Sequence, residues 1–141
     1  MANSNRYFIW NKNEDIKISK NFNTKEFQCQ CSRPACVEQR ISLDLIEKLE
    51  QIRSQVGQPL IVTSGYRCFN HQQDLKDKGT VATVIAQKST HVLGDAADIK
   101  IPKNNTIEQF LEKCEPHFES IGVANTFLHL DLRKGKRRWN Y

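Results

Sequence analysis

"FLHLDLR", residues Phe127 to Arg133, alternates strictly, with Leu128, Leu130 and Leu132 on one parity and Phe127, His129, Asp131 and Arg133 on the other. Successive side chains of a strand point to opposite faces, so an extended strand separates these two sets. The leucine face has to find a core. The opposite face then carries a histidine, an aspartate and an arginine in a row, a pattern that also serves solubility in a surface strand. "AADIKI" reads in the same way, with Ala97, Ile99 and Ile101 on one face and Asp98 and Lys100 on the other. If the two strands are sheet neighbours, Asp98 and His129 lie about 5 Å apart across the ladder.

A second histidine precedes Asp98 in "STHVLGDAADI", with Gly94 between them. Neighbours on a helical face sit three or four positions apart, so His91 and Asp98 are expected to converge by folding back across a turn at Gly94. With His129 they would make a three-ligand site. Two imidazole nitrogens and one carboxylate oxygen suit a catalytic zinc, which leaves its fourth position to water. A single histidine is more often a hydrogen-bonded structural residue. His71 and His117 are read that way, His117 as an exposed one.

The remaining pattern predicts an α+β fold. "ISLDLIEKLEQIRSQVG" is the clearest helix, with Leu45, Leu49, Ile52 and Val56 on one stripe, Ser42 as its cap and Gly57 as its stop. "PLIVTSGYR" reads as a buried strand, "NHQQDLKDKG" as a short helix, and "TVATVIAQKST" as a loop or lid. Thr106 and Gln109 can form a capping box opening "IEQFLEKC", and "SIGVA" and "TFLHLDLR" follow as strands. Strands and helices interleave without βαβ repeats. The expected architecture is therefore a mainly antiparallel sheet with helices packed on one side.

At 141 residues the chain suits one domain, with residues 1–19 as an N-terminal extension. No apolar run approaches a membrane span, and the first residues lack the apolar core of a signal peptide. Synthesis in the cytoplasm without an export leader is expected, with no membrane insertion. The net charge of +5 concentrates in "RKGKRRWNY", which is either a solvated terminus or an attractor of a polyanion, nucleic acid and an anionic cell wall both qualifying. Only Trp139 and Tyr141 interleave that run, so stacking platforms for nucleic acid are not evident. Five cysteines, an odd number, argue against a fully paired disulfide framework. Cys29, Cys31 and Cys36 cluster in "CQCSRPAC", whereas Cys68 and Cys114 stand apart. The spacing fits a zinc knuckle poorly, so reduced, partly buried thiols are expected ahead of a second metal.

"SGYRC", "STHVLGDAADI" and "FLHLDLR", in this order, resemble the zinc D-Ala-D-Ala carboxypeptidase and L-alanyl-D-glutamate endopeptidase family. "NFNTKEFQCQC" is similar to the family's opening segment and "RRWNY" to its closing Arg-Trp, so the resemblance spans residues 20–141. It implies a hedgehog-like α+β fold and zinc-dependent hydrolysis of peptidoglycan stem peptides; a monomer is expected. It assigns Zn²⁺ to His91, Asp98 and His129, and gives Arg67 the role of steadying charge on the scissile carbonyl. A preorganised cation in a dry site stabilises an oxyanion strongly. Taken alone, Arg67 also reads as a structural salt bridge to Asp131 or Asp95, and Ser64 and Tyr66 as strand-end packing ahead of pocket residues.

One departure bears on catalysis. Many relatives carry an acid or histidine just before the last ligand as general base, where this chain has Thr126 and Phe127. Asp131 is then the nearest carboxylate, either as the base or as a partner orienting His129 or Arg67. Asp95 and Glu119 are weaker candidates. The resemblance thus points to a carboxypeptidase or endopeptidase of phage-lysis type, acting on the cell wall if released. A zinc-bearing but inactive cell-wall or protein-binding module is the alternative, and a small basic nucleic-acid-binding protein stands behind both.

Overall fold

The computed structural model describes residues 6–77 and 89–141. Most of "TVATVIAQKST", expected as a loop or lid, lies outside the described residues. Helix α1 (Leu43–Val56) forms on the predicted stripe and buries Leu45, Ile46, Leu49 and Ile52. The Ser42 side chain accepts from the Asp44 and Leu45 amides, satisfying donors that every helix N-terminus leaves open. Gly57 ends the helix at φ 75°, a left-handed conformation that glycine adopts without a Cβ clash.

Five strands make the main sheet: β3 (Val62–Ser64), β4 (Ala96–Lys100), β5 (Ser120–Val123), β6 (Phe127–Asp131) and β7 (Arg137–Asn140), in the spatial order β3-β4-β6-β5-β7. Ala97, Ile99, Ile121, Leu128 and Leu130 face one way and are all fully buried. They meet α1 and helix α4 (Ile107–Cys114), whose Thr106–Gln109 capping box forms as read and which contributes Phe110 and Cys114 to the same apolar cluster. Burying a side chain of this size stabilises by roughly 1.5–3 kcal/mol, so this face holds the sheet and the two helices together.

Two expectations need correction. The sheet is mixed rather than mainly antiparallel, because β7 runs parallel to β5. The reason is one of edges. Strand β6 is already flanked by β4 and β5, both antiparallel to it. A chain that leaves β6 and reverses finds no free edge on β6 itself; here it steps over to the open side of β5, and it then runs the same way as β5. The basic terminus is accordingly a sheet strand rather than a solvated tail, with Tyr141 N–H bound to the Val123 carbonyl at 3.0 Å. Helices also do not all serve the apolar face. Helix α3 (Thr90–Leu93) delivers His91 to the other one, where it meets His129.

A second, two-stranded sheet pairs β1 (Tyr7–Asn11) with β2 (Glu38–Ser42). Strand β1 lies inside the segment expected as an extension, and its Trp10 is buried in the common core. Tyr7 ties this sheet to the main one, its hydroxyl donating to Asp95 Oδ1 at 2.7 Å.

Candidate metal centre

The polar face of the sheet carries one transverse row. Ser64, Asp98, His129, Gly122 and Trp139 are successive partners across all five strands. Strand alternation, set by the leucines on the other face, aims Asp98 and His129 the same way and makes them direct cross-strand partners. A bulge between Val62 and Ser64 brings Ser64 opposite Asp98. His91 arrives from α3, capped by Ser89 at its start and closed by Gly94 at φ 80°. A Cβ at Gly94 would sit 3.0 Å from the Arg40 carbonyl oxygen, so glycine is required there by space as well as by conformation.

The ligand atoms of His91, Asp98 and His129 all lie within 4.8 Å of one another. His91 Nε2 is 3.3 Å and His129 Nδ1 3.0 Å from Asp98 Oδ1. Three atoms each about 2.05 Å from a tetrahedral zinc stand roughly 3.3 Å apart, so this cradle fits the ion. The tautomers fit as well. His91 Nδ1–H donates to the Gly65 carbonyl at 2.7 Å, leaving Nε2 toward Asp98. His129 Nε2–H donates to Asp131 Oδ2 at 2.8 Å, leaving Nδ1 toward Asp98. In each case the hydrogen bond on one ring nitrogen selects the other as ligand.

Burial and charge work against each other here. Burial pulls the His91 imidazole below its ordinary pKa, Asp98 offsetting this only in part. Burial also opposes charge on His129, but the Asp131 and Asp98 carboxylates outweigh it and push its pKa up. Against its own desolvation, Asp98 is held well below the usual carboxylate range by the two imidazoles. A buried anion between two ring nitrogens is the arrangement that favours a cation in electrostatic terms.

Arg67 stands at its rim. Its Nη2 is 3.3 Å from Asp98 Oδ2, its Nε donates to Ser64 Oγ at 3.1 Å and its Nη1 to Gln72 Oε1 at 3.0 Å. The salt bridge is therefore to Asp98, not to Asp131 or Asp95, and Ser64 is a holder of Arg67 rather than strand-end packing alone. Asp131, with no exposed surface, spends both oxygens on His129 and Arg133. It sits on the Nε2 side of His129, away from the nitrogen that faces Asp98. Glu119 Oε1 accepts from the Gly135 amide. His117, expected exposed, is half-buried. His71 lies in helix α2 (Phe69–Asp77), and Tyr66 is half-buried with its amide on the Phe27 carbonyl.

The scan against family models matches residues 20–131 to a family described as peptidase M15. The chain belongs to the peptidase M15 family. Members are zinc-dependent metallopeptidases, which agrees with a cradle of this composition. The comparison with curated proteins finds no match.

Two residues of this M15 chain escaped the sequence reading as parts of the site. Gln72, buried on α2, orients Arg67, and its only signal was its place five residues after that arginine. Trp139 packs its ring 5.4 Å from that of His129 and lies over Gly122, where a Cβ would come within 2.5 Å of it. Gly122 is thus small because an indole occupies its face.

An Asp131→Asn variant tests the tautomer argument. An amide nitrogen turned to His129 would donate to Nε2 and drive the ring proton to Nδ1, the nitrogen facing Asp98. Zinc affinity is expected to fall about 10–100-fold, the usual cost of losing a partner behind a metal ligand. Competition with a chromophoric chelator measures it, and unchanged affinity would leave Asp131 without an orienting role.

Proposed function

We propose that this chain is a zinc peptidase that cuts peptide bonds in peptidoglycan stem peptides, with zinc held by His91, Asp98 and His129. The observation that carries the reading is the convergence of two imidazole nitrogens and a carboxylate oxygen beside a half-buried guanidinium. When bound there, zinc supplies a Lewis acid for the scissile carbonyl and lowers the pKa of a water toward neutrality. The chain's own groups do the rest. Gly65 and Asp131 hold the two rings in ligand tautomers. Ser64, Gln72 and Asp98 engage three of the five N–H groups of Arg67, and the other two are donors for a developing oxyanion or a substrate carboxylate.

The substrate class rests on the resemblance and on charge. Stem peptides contain D-residues and end in, or are flanked by, carboxylates. Lys134, Lys136 and Arg137 are exposed around the β6–β7 turn and favour such an acidic polymer, with attraction weakened by salt. The same reading makes the protein a phage or prophage lysis enzyme, reaching the wall after release from the cytoplasm.

A second reading has one observation in its favour. Every carboxylate weighed as general base is engaged elsewhere: Asp131 by His129 and Arg133, Asp95 by Tyr7, Glu119 by Gly135. This favours a zinc-bearing binding module without activity. Digestion of isolated cell walls by the zinc-loaded protein, followed by mass spectrometry of the muropeptides, separates the two. New amino termini that vanish with a chelator and return with zinc are the expected result. Walls of several peptide chemistries that all stay intact would leave the binding module.

A further inference from the structure

Four cysteines meet away from the His–Asp–His centre. The sulfurs of Cys29, Cys31, Cys36 and Cys68 all lie within 4.8 Å of one another, and Cys31 Sγ is 3.7 Å from Cys68 Sγ. Cys68 stands apart in sequence but is carried to "CQCSRPAC" by the contact of the Ser64–Cys68 segment with Phe27. The Tyr66 amide donates to the Phe27 carbonyl at 2.7 Å, and Gly65 lies so close that a Cβ would be 2.7 Å from Phe27 Cα. All four cysteines are free thiols. Four sulfurs about 2.3 Å from a tetrahedral zinc stand roughly 3.8 Å apart, which is the spacing this cluster approaches.

We propose that Cys29, Cys31, Cys36 and Cys68 bind a second, structural zinc ion. The surroundings offer a hydrogen-bond donor to every sulfur. Each sulfur has its own N–H group: the Cys68 amide is 3.4 Å from Cys29 Sγ, Gln39 Nε2 3.4 Å from Cys36 Sγ, the His71 amide 3.4 Å from Cys68 Sγ, and Lys12 Nζ 3.7 Å from Cys31 Sγ. Gln39 is fully buried and held in place by the Cys29 amide on its Oε1 at 2.6 Å. Binding releases the four thiol protons to solvent and forms four Zn–S bonds, leaving a net charge of −2 that the Lys12 ammonium and the N–H dipoles offset. Four protein ligands close the coordination sphere, so the ion is structural rather than catalytic. Cys114, buried in the apolar cluster on α4, takes no part.

The ion would clamp the loop carrying Cys29, Cys31 and Cys36 to the residue directly after Arg67.

The test uses the full chain under reducing conditions. Elemental analysis should find about two equivalents of zinc per chain. Loading the His129→Ala variant with cobalt isolates the cysteine site. It should show the intense near-ultraviolet sulfur-to-cobalt charge-transfer band, and Cys31→Ser and Cys68→Ser chains should lose that band. Should the serine variants not fold, the native chain still decides, because a thiol reagent should release zinc as it titrates the cluster. Absence of the band from cobalt-loaded native and His129→Ala chains, or titration of all five thiols without zinc release, would overturn the proposal. Neither outcome depends on whether the protein hydrolyses anything.

Discussion

Replacing His129 by alanine is expected to remove the catalytic zinc and with it all measurable peptide hydrolysis. The residue is buried at 5% exposure and lies at the centre of the polar row, between Asp98 on β4 and Asp131 on its own strand. Alanine leaves two ligands, and it also leaves two buried carboxylates without the imidazole that compensated them. Metal Lewis acidity supplies several kcal/mol to the transition state. About 4 kcal/mol corresponds to roughly 10³ in rate, so the loss should be at least that large. Elemental analysis beside a cell-wall digestion reads both effects. A folded variant that keeps its full zinc content would remove His129 from the ligand set.

Arg67→Ala should behave differently, keeping zinc while slowing turnover by about 10²–10³, the usual cost of one oxyanion stabiliser. The distinction follows from geometry, since Arg67 touches Asp98 through Oδ2 while the two histidines approach Oδ1. Desolvation lowers the guanidinium pKa from its ordinary value, with Asp98 opposing the shift. Lysine should rescue poorly. Its single ammonium cannot reach Ser64, Gln72 and Asp98 together and still present donors to a substrate. Steady-state kinetics with a zinc assay on the same preparations provides the check. Undiminished turnover in the folded alanine variant would reduce Arg67 to a salt bridge with Asp98.

Much of the local structure was legible because it depends on neighbours in sequence. The stripe of α1, its Ser42 cap and its Gly57 stop are properties of one helical turn or a few. The α4 capping box spans three residues. The strict alternation of "FLHLDLR" dictated which side chains leave the core, and so which could reach a site. Strand β1 was not legible, because five residues with one buried side chain leave too little periodicity to read.

What the sequence by itself determined was which residues share a face: His129 and Asp131 on one strand, Asp98 on another, each opposite an apolar set that had to be buried. Tertiary structure alone decided which faces meet. The register of β4 against β6 puts Asp98 directly opposite His129, where a slip of one residue would turn one of them into the core. With both edges of β6 filled, β7 pairs instead with the open side of β5, parallel to it, which set Trp139 over Gly122 and beside His129. The contact of Gly65 with Phe27 brought Cys68 to three cysteines far away in sequence. The physical reason is common to all three. Side-chain direction follows from local backbone geometry, whereas partners distant in sequence are selected by how the buried faces pack.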